Sequence, residues 1–393
     1  SAVIGDVKIG AMQVEPTLLT VPDIEADVYA LTPAEMATYL AYSYTGTTPD
    51  DALIAAAIAN ELSTDNQVEA QIERLLETDA AKIHFGEFAA QWFTTDSVLI
   101  ASKDPTLYAN YTPDVQQAMA QEVREIFKDV MFDDSVPFSE IFDSNYTFLN
   151  QTLADFYGIG GVTGDAFVKT AAPQRGGVVT SGAILSAWTS PTESKLILRG
   201  VHIRERMLCQ IFPPFPADVD LGEIRDQQQA IVDAKAAETN GVIRQAHLDY
   251  INTDLEACAS CHEYIINPLG VGLEDFDAVG LPRTHYLDEN GNQGLSVDFT
   301  GYQEELDTHQ SALYGITDLY DTSERIAFQG AKQLGGIFGS GGASEVTKSC
   351  MVEMGFRFMT GKGTEIYSYE DEVIVLSEAE KIDNACAADS MRT

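Results

Sequence analysis

Apolar residues recur at helical spacing through most of the first half of the chain, and residues able to cap a helix open each run. Thr32-Pro33-Ala34-Glu35 sets a capping threonine, a proline with helical φ and a glutamate ahead of an Ala/Leu/Tyr stretch ending at Gly46. Pro49-Asp50-Asp51 opens a second helix, and Ser63 or Thr64 caps a third that runs through Leu75 and Leu76. A fourth carries Ile83, Phe88, Trp92 and Phe93. The best period follows Thr112-Pro113-Asp114, where Val115, Met119, Val123, Ile126 and Phe127 recur about every 3.6 residues as far as Met131. The longest apolar run, Ala52 to Ala59, predicts one buried helix face and is far shorter than the roughly 20 residues of a membrane span.

The pattern weakens elsewhere. Residues 1–30 hold no period and contain Pro16 and Pro22, so they read as an extended lead-in. Asn145 to Tyr157 reads as a turn and a helix, Gly158 to Gly164 as a Gly-rich loop, and Arg175 to Thr180 as a short strand or helix entry. Leu196 to Leu208 is helical, and Pro213-Pro214-Phe215-Pro216 ends it. That proline run marks the expected boundary between a helical region, 31–216, and a second module, 217–362, before an acidic tail, 363–393. In the second module Ile224 to Tyr250 is polar and helical, and Asp288 to Asn292 forms a turn between Tyr286 and Val297 that predicts a small hairpin. Further helices are expected around Leu313–Phe328 and Ser344–Met359. The expected fold is mainly α, with the helical region packed on the second module.

Composition adds limits. At 45% hydrophobic and 21% charged the 393-residue chain is globular, and it is too long for one core. Sixty-one acidic against 23 basic residues give a net charge of −38, which repels phosphate backbones and anionic headgroups. Nucleic acid and acidic membranes are therefore excluded as expected partners, and cationic ones are favoured. The chain starts without Met or a leader, as a mature or trimmed product does. No Ser-His-Asp set, P-loop, dinucleotide fingerprint or HExxH motif appears.

Cys258-Ala-Ser-Cys261-His262 carries the chemistry. Two thiols three residues apart can form thioethers to both vinyl groups of one haem, with the adjacent His binding the iron. A thioredoxin-like pair or half a zinc site are the competing readings, but the first lacks a βαβ setting and the second lacks another paired-ligand cluster. The expected cofactor is one covalent haem c.

The stretch from Cys258 through Asn267-Pro268-Leu-Gly270, Glu274-Asp-Phe276-Asp277 and Gly280-Leu-Pro-Arg283 resembles the haem module of planctomycete-type secreted cytochrome c proteins. These are multi-domain proteins of unknown function with a C-terminal monohaem CxxCH module. Leu31 to Glu35, Thr48 to Leu53, Phe88 to Trp92, Asn145 to Asn150, Phe156 to Gly158, Arg175 to Gly177, Ser190 to Thr192, Arg199-Gly200, Arg204 to Cys209 and Cys350 to Gly361 are similar to the same family in the same order. The resemblance also implies sequence upstream of this start. At Asn267 the family generally has Asp.

The resemblance implies His262 as proximal iron ligand, with the Pro268 carbonyl region accepting its other ring N–H. Met354 is the first candidate for the distal ligand, and Met351, Met359 and His247 are its rivals. Cys209 and Cys350 lie at positions often cysteine in relatives, which implies a disulfide, with Cys386 as a rival partner. Arg175, Arg204 and Arg283 stand out where basic residues are scarce; each is a candidate for a haem propionate or for a structural ion pair, and Arg283 is counted among the cofactor-binding residues. His84, His202, His285 and His309 read as surface or satisfied core histidines, and Asp288-x-Asn290-x-Asn292 reads as a turn rather than a calcium loop. The expected function is a periplasmic or extracellular cytochrome that passes single electrons to a redox partner protein, more carrier than catalyst. A haem enzyme with an open distal site, and a haem-containing structural or self-associating protein, are the alternatives.

Overall fold

The computed structural model describes residues 31–210, 262, 266–287, 293–297, 300–304 and 325–360, with four two-residue strands ahead of them: β1 Val3–Ile4, β2 Val7–Lys8, β3 Met12–Gln13 and β4 Tyr29–Ala30. The proline run at 213–216, the expected helix over 224–250, the turn at 288–292 and the acidic tail lie outside these residues. The fold is mainly helical, with short antiparallel strand pairs. Two compact units divide it: residues 1–88 with 351–393, and residues 89–350.

Helix α1 (Pro33–Thr45) starts at the predicted capping box, with Thr32 and Glu35 satisfying each other's backbone amides, and stops at Gly46 with φ 65. Asp50 caps α2 (Asp51–Ile58), and Thr64 with Gln67 forms the box that starts α3 (Asp65–Leu76). Ala37, Leu40, Ala41, Leu53, Ala56, Leu62 and Leu75 close into the core of this unit. The apolar run in α2 is buried on one side only. Leu53 and Ala56 face the core, while Ile54 and Ile58 are exposed, Ile58 to 83%. Helix α4 (Asp79–Trp92) likewise turns Ala81, Phe85 and Phe88 inward and leaves Ile83 exposed, because 83 falls on the opposite side of a helix from 81 and 85.

In the second unit, α5 (Pro113–Phe132) buries Val115, Met119, Val123, Ile126 and Phe127 as its period predicts. Short α6 (Glu140–Asp143) leads to strand β5 (Tyr146–Leu149), where the sequence pattern predicts a turn. It pairs with β6 (Val168–Ala171), a partner too distant for a local pattern to reveal, and α7 (Gln151–Tyr157) lies between them. Trp92, Phe93, Phe127, Phe142 and Phe338 meet edge-on or stacked in the core. Then come α8 (Gly182–Ala187), α9 (Leu196–Met207) and α10 (Asn267–Gly272). The predicted hairpin is present as β7 (His285–Leu287) against β8 (Gln293–Ser296). Strand β9 (Thr300–Glu304) pairs with β10 (Arg325–Gln329), so the end of the expected 313–328 helix is extended, its ladder overriding local propensity. Helices α11 (Gly330–Phe338) and α12 (Gly341–Thr360) follow.

Candidate functional site

Of the CxxCH motif, His262 lies among the described residues; Cys258 and Cys261 do not, nor does His247. The His262 ring is partly buried, and its Nδ1 stands 3.1 Å from Oδ1 of Asn267. Burial pushes the imidazole towards its neutral form, and the Asn267 bond opposes that push. An Nδ1–H donated to the amide oxygen leaves the lone pair on Nε2, the nitrogen then available to a metal. The structure puts the Asn267 side chain at this ring nitrogen. Pro268 stands in the first turn of α10. The residue that departs from the resembled family is the one that touches the histidine.

Asn267 is buried and opens α10 with Pro268 beside it. Glycines let α10 sit against α9. A Cβ on Gly200 would lie 2.4 Å from the Ile266 carbonyl oxygen, and one on Gly270 would lie 2.1 Å from that of Leu196. The two backbones touch, so His262 and Asn267 are followed by a helix fixed on a rigid neighbour.

Beyond α10 the backbone turns irregularly, and buried arginines hold it. Arg199 donates to the carbonyls of Leu185, Leu273, Phe276 and Asp277 and stands 3.6 Å from the Glu274 carboxylate. Arg283 donates to the Glu274 carboxylate at 2.7 Å, to its carbonyl and to the Ser194 hydroxyl. Arg175 donates to the carbonyls of Thr180 and Gly280 while stacked 3.7 Å over Tyr157. Arg204 donates to the Gln210 side chain. Asp277 accepts from the amides of Val279 and Leu281, and Asp275, pushed up to about 6 by burial, accepts from the amide of Ala331.

The remaining expected site residues are placed as follows. Cys209 and Cys350, the pair that the resemblance implies, are bonded with their Cα atoms 5.3 Å apart. Met351, Met354 and Met359 lie on α12, partly buried, in the unit that does not contain His262. His202 is buried with its pKa driven down to about 3, chiefly by burial, and its Nε2 has no partner, so it is not a fully satisfied core histidine. Among the described residues no group of three or more His, Cys, Asp or Glu is placed to hold a metal, and no helix is long and apolar enough to cross a membrane. Sequence reasoning missed Arg199 and Glu274 as clamps of the segment after the motif. The scarcity of basic residues was the available signal, and it singled out Arg283 beside them.

Residues 31–159 match PSD4, a protein family of unknown function (DUF1592), and residues 175–286 match PSCyt3, a protein family of unknown function (DUF1588). The second match begins ahead of the proline run and takes in the CxxCH motif. No curated protein and no solved structure matches the chain.

Proposed function

The chain belongs to the planctomycete secreted cytochrome-associated families through its PSD4 and PSCyt3 domains, and we propose that it is an exported monohaem c-type cytochrome that passes single electrons to a protein partner. The observation that carries this reading is Cys258-x-x-Cys261-His262 inside the PSCyt3 match, with the described histidine held through Nδ1 so that Nε2 is left for iron. Haem, when bound, would supply a one-electron couple. Cys258 and Cys261 would anchor it, and His262 would ligate its iron. The amide of Asn267 keeps the proximal ring in one tautomer and orientation. The Cys209–Cys350 bond suits a periplasmic or extracellular location. A surface at −38 draws cationic partners and loses that attraction as salt rises.

An alkaline pyridine spectrum of the purified chain tests the reading: a haem c band at one haem per chain is expected. Absence of haem from protein made in a cytochrome-maturing host overturns it. Carbon monoxide or cyanide then separates carrier from catalyst, since a spectrum unmoved by both is expected of a six-coordinate carrier, and a ligand-responsive haem would move the assignment to a haem enzyme.

A further inference from the structure

The contact at His262 says more than that the ring is held. Its acceptor is a carboxamide oxygen, 3.1 Å from Nδ1, on a side chain only 3% exposed. A chain with 61 acidic residues has placed a neutral group at this buried position. A carboxylate there would draw the Nδ1 proton towards itself, leave the ring more anionic and make Nε2 a stronger electron donor. An amide oxygen is a weaker acceptor, so the ring keeps its proton and its neutral character. A carboxylate would also need an offsetting cation, and the arginines of the following segment are already engaged: Arg199 by four carbonyls, and both Arg199 and Arg283 by Glu274.

We infer that Asn267 is a positioning residue that sets the reduction potential of the iron bound at His262, holding it above the value a carboxylate at the same position would give. The inference rests on the proposed haem ligation. A more basic axial ligand favours ferric over ferrous iron, and a less basic one does the reverse. Position 267 is thus a control on redox poise that acts through the histidine.

The test is a spectroelectrochemical titration of three purified proteins: the natural chain, Asn267→Asp and Asn267→Leu. Each is first checked for one haem c per chain by the pyridine spectrum, so failure of the haem reading shows before any potential is measured. The aspartate variant is expected to shift the midpoint downwards, and the leucine variant, which has no acceptor, upwards. The leucine variant should also broaden the low-spin ferric electron paramagnetic resonance signal, because the ring is no longer held in one orientation. A merely structural role predicts midpoints that do not move or that move in the same direction, and either result overturns the inference. Should Asn267→Leu not fold, the near-isosteric Asn267→Asp decides alone: a haem-loaded variant whose midpoint is not lowered refutes the proposal.

Discussion

The core of the first unit and the clamp around residues 266–283 of the second are stabilised in opposite ways. In the first, Leu40, Leu53, Leu62, Leu75 and three alanines pack together, and Ser43 is the one buried polar side chain among its described residues. In the second, Arg199, Arg204, His202, Glu274 and Asn267 are all buried. An aliphatic core needs only regular helices that present an apolar stripe. An irregular segment exposes carbonyls that no helix or ladder satisfies, so ionic side chains must supply the donors. Regular packing gives a scaffold, and the ionic clamp allows a segment without periodicity to hold one fixed shape next to His262.

Breaking the covalent tie should have the largest effect. The Cys209–Cys350 bond spans 141 residues of sequence, a closure worth about 5 kcal/mol in the chain-entropy account. The double variant Cys209→Ser/Cys350→Ser should lower the denaturant midpoint accordingly, measured against the natural chain with and without reductant. A variant as stable as the oxidised chain would deny the bond this role.

Next comes the clamp. Arg199→Met leaves four carbonyls without their donor and removes a cation from Glu274, for a loss of about 3–5 kcal/mol in urea unfolding. The counterpart in the aliphatic core, Leu53→Ala, should lose about 3 kcal/mol, and Ile58→Ser, five residues along the same helix but 83% exposed, should be near neutral. Equal losses at Leu53 and Ile58 would contradict the inward face assigned to α2.

A smaller effect than the clamp's is electrostatic and depends on pH. His202 has a native pKa of about 3 against an unfolded value near 6.5. Between those values the unfolded state binds the extra proton, so stability present above pH 6.5 is lost as pH falls, by about 2 kcal/mol at pH 5. Asp275, raised to about 6, works in the other direction, favouring the native state at low pH and losing that contribution as pH climbs from about 4 to 6. His202→Phe should therefore flatten the acid side of the melting-temperature profile, and an unchanged acid slope would assign that slope to other groups.

What the sequence makes legible follows the same division. Thr32 with Glu35, Asp50 and Thr64 act within three residues, so the starts of α1, α2 and α3 can be read locally. Strand β5 cannot be, because Tyr146 acquires its meaning from Ala171, nor can β10, whose partner Glu304 precedes Arg325 by a long stretch. Arg199 is opaque for a related reason: its acceptors are main-chain carbonyls 14 to 78 residues away, which carry no side-chain signature. The CxxCH motif is recognised by its spacing alone. Asn267 is visible in sequence only as an oddity, and a measured distance is needed to join it to His262.

The Cys209–Cys350 bond also has a consequence for how the chain is made. A chain threaded from its N-terminus into an oxidising compartment delivers Cys209 first, then Cys258 and Cys261, and Cys350 only afterwards. In such a compartment Cys209 would meet two wrong thiols before its right one, and either encounter would form a crosslink across the CxxCH motif. On the proposed haem ligation, attachment to the motif thiols before Cys350 arrives would make the order of maturation itself the guard against mispairing.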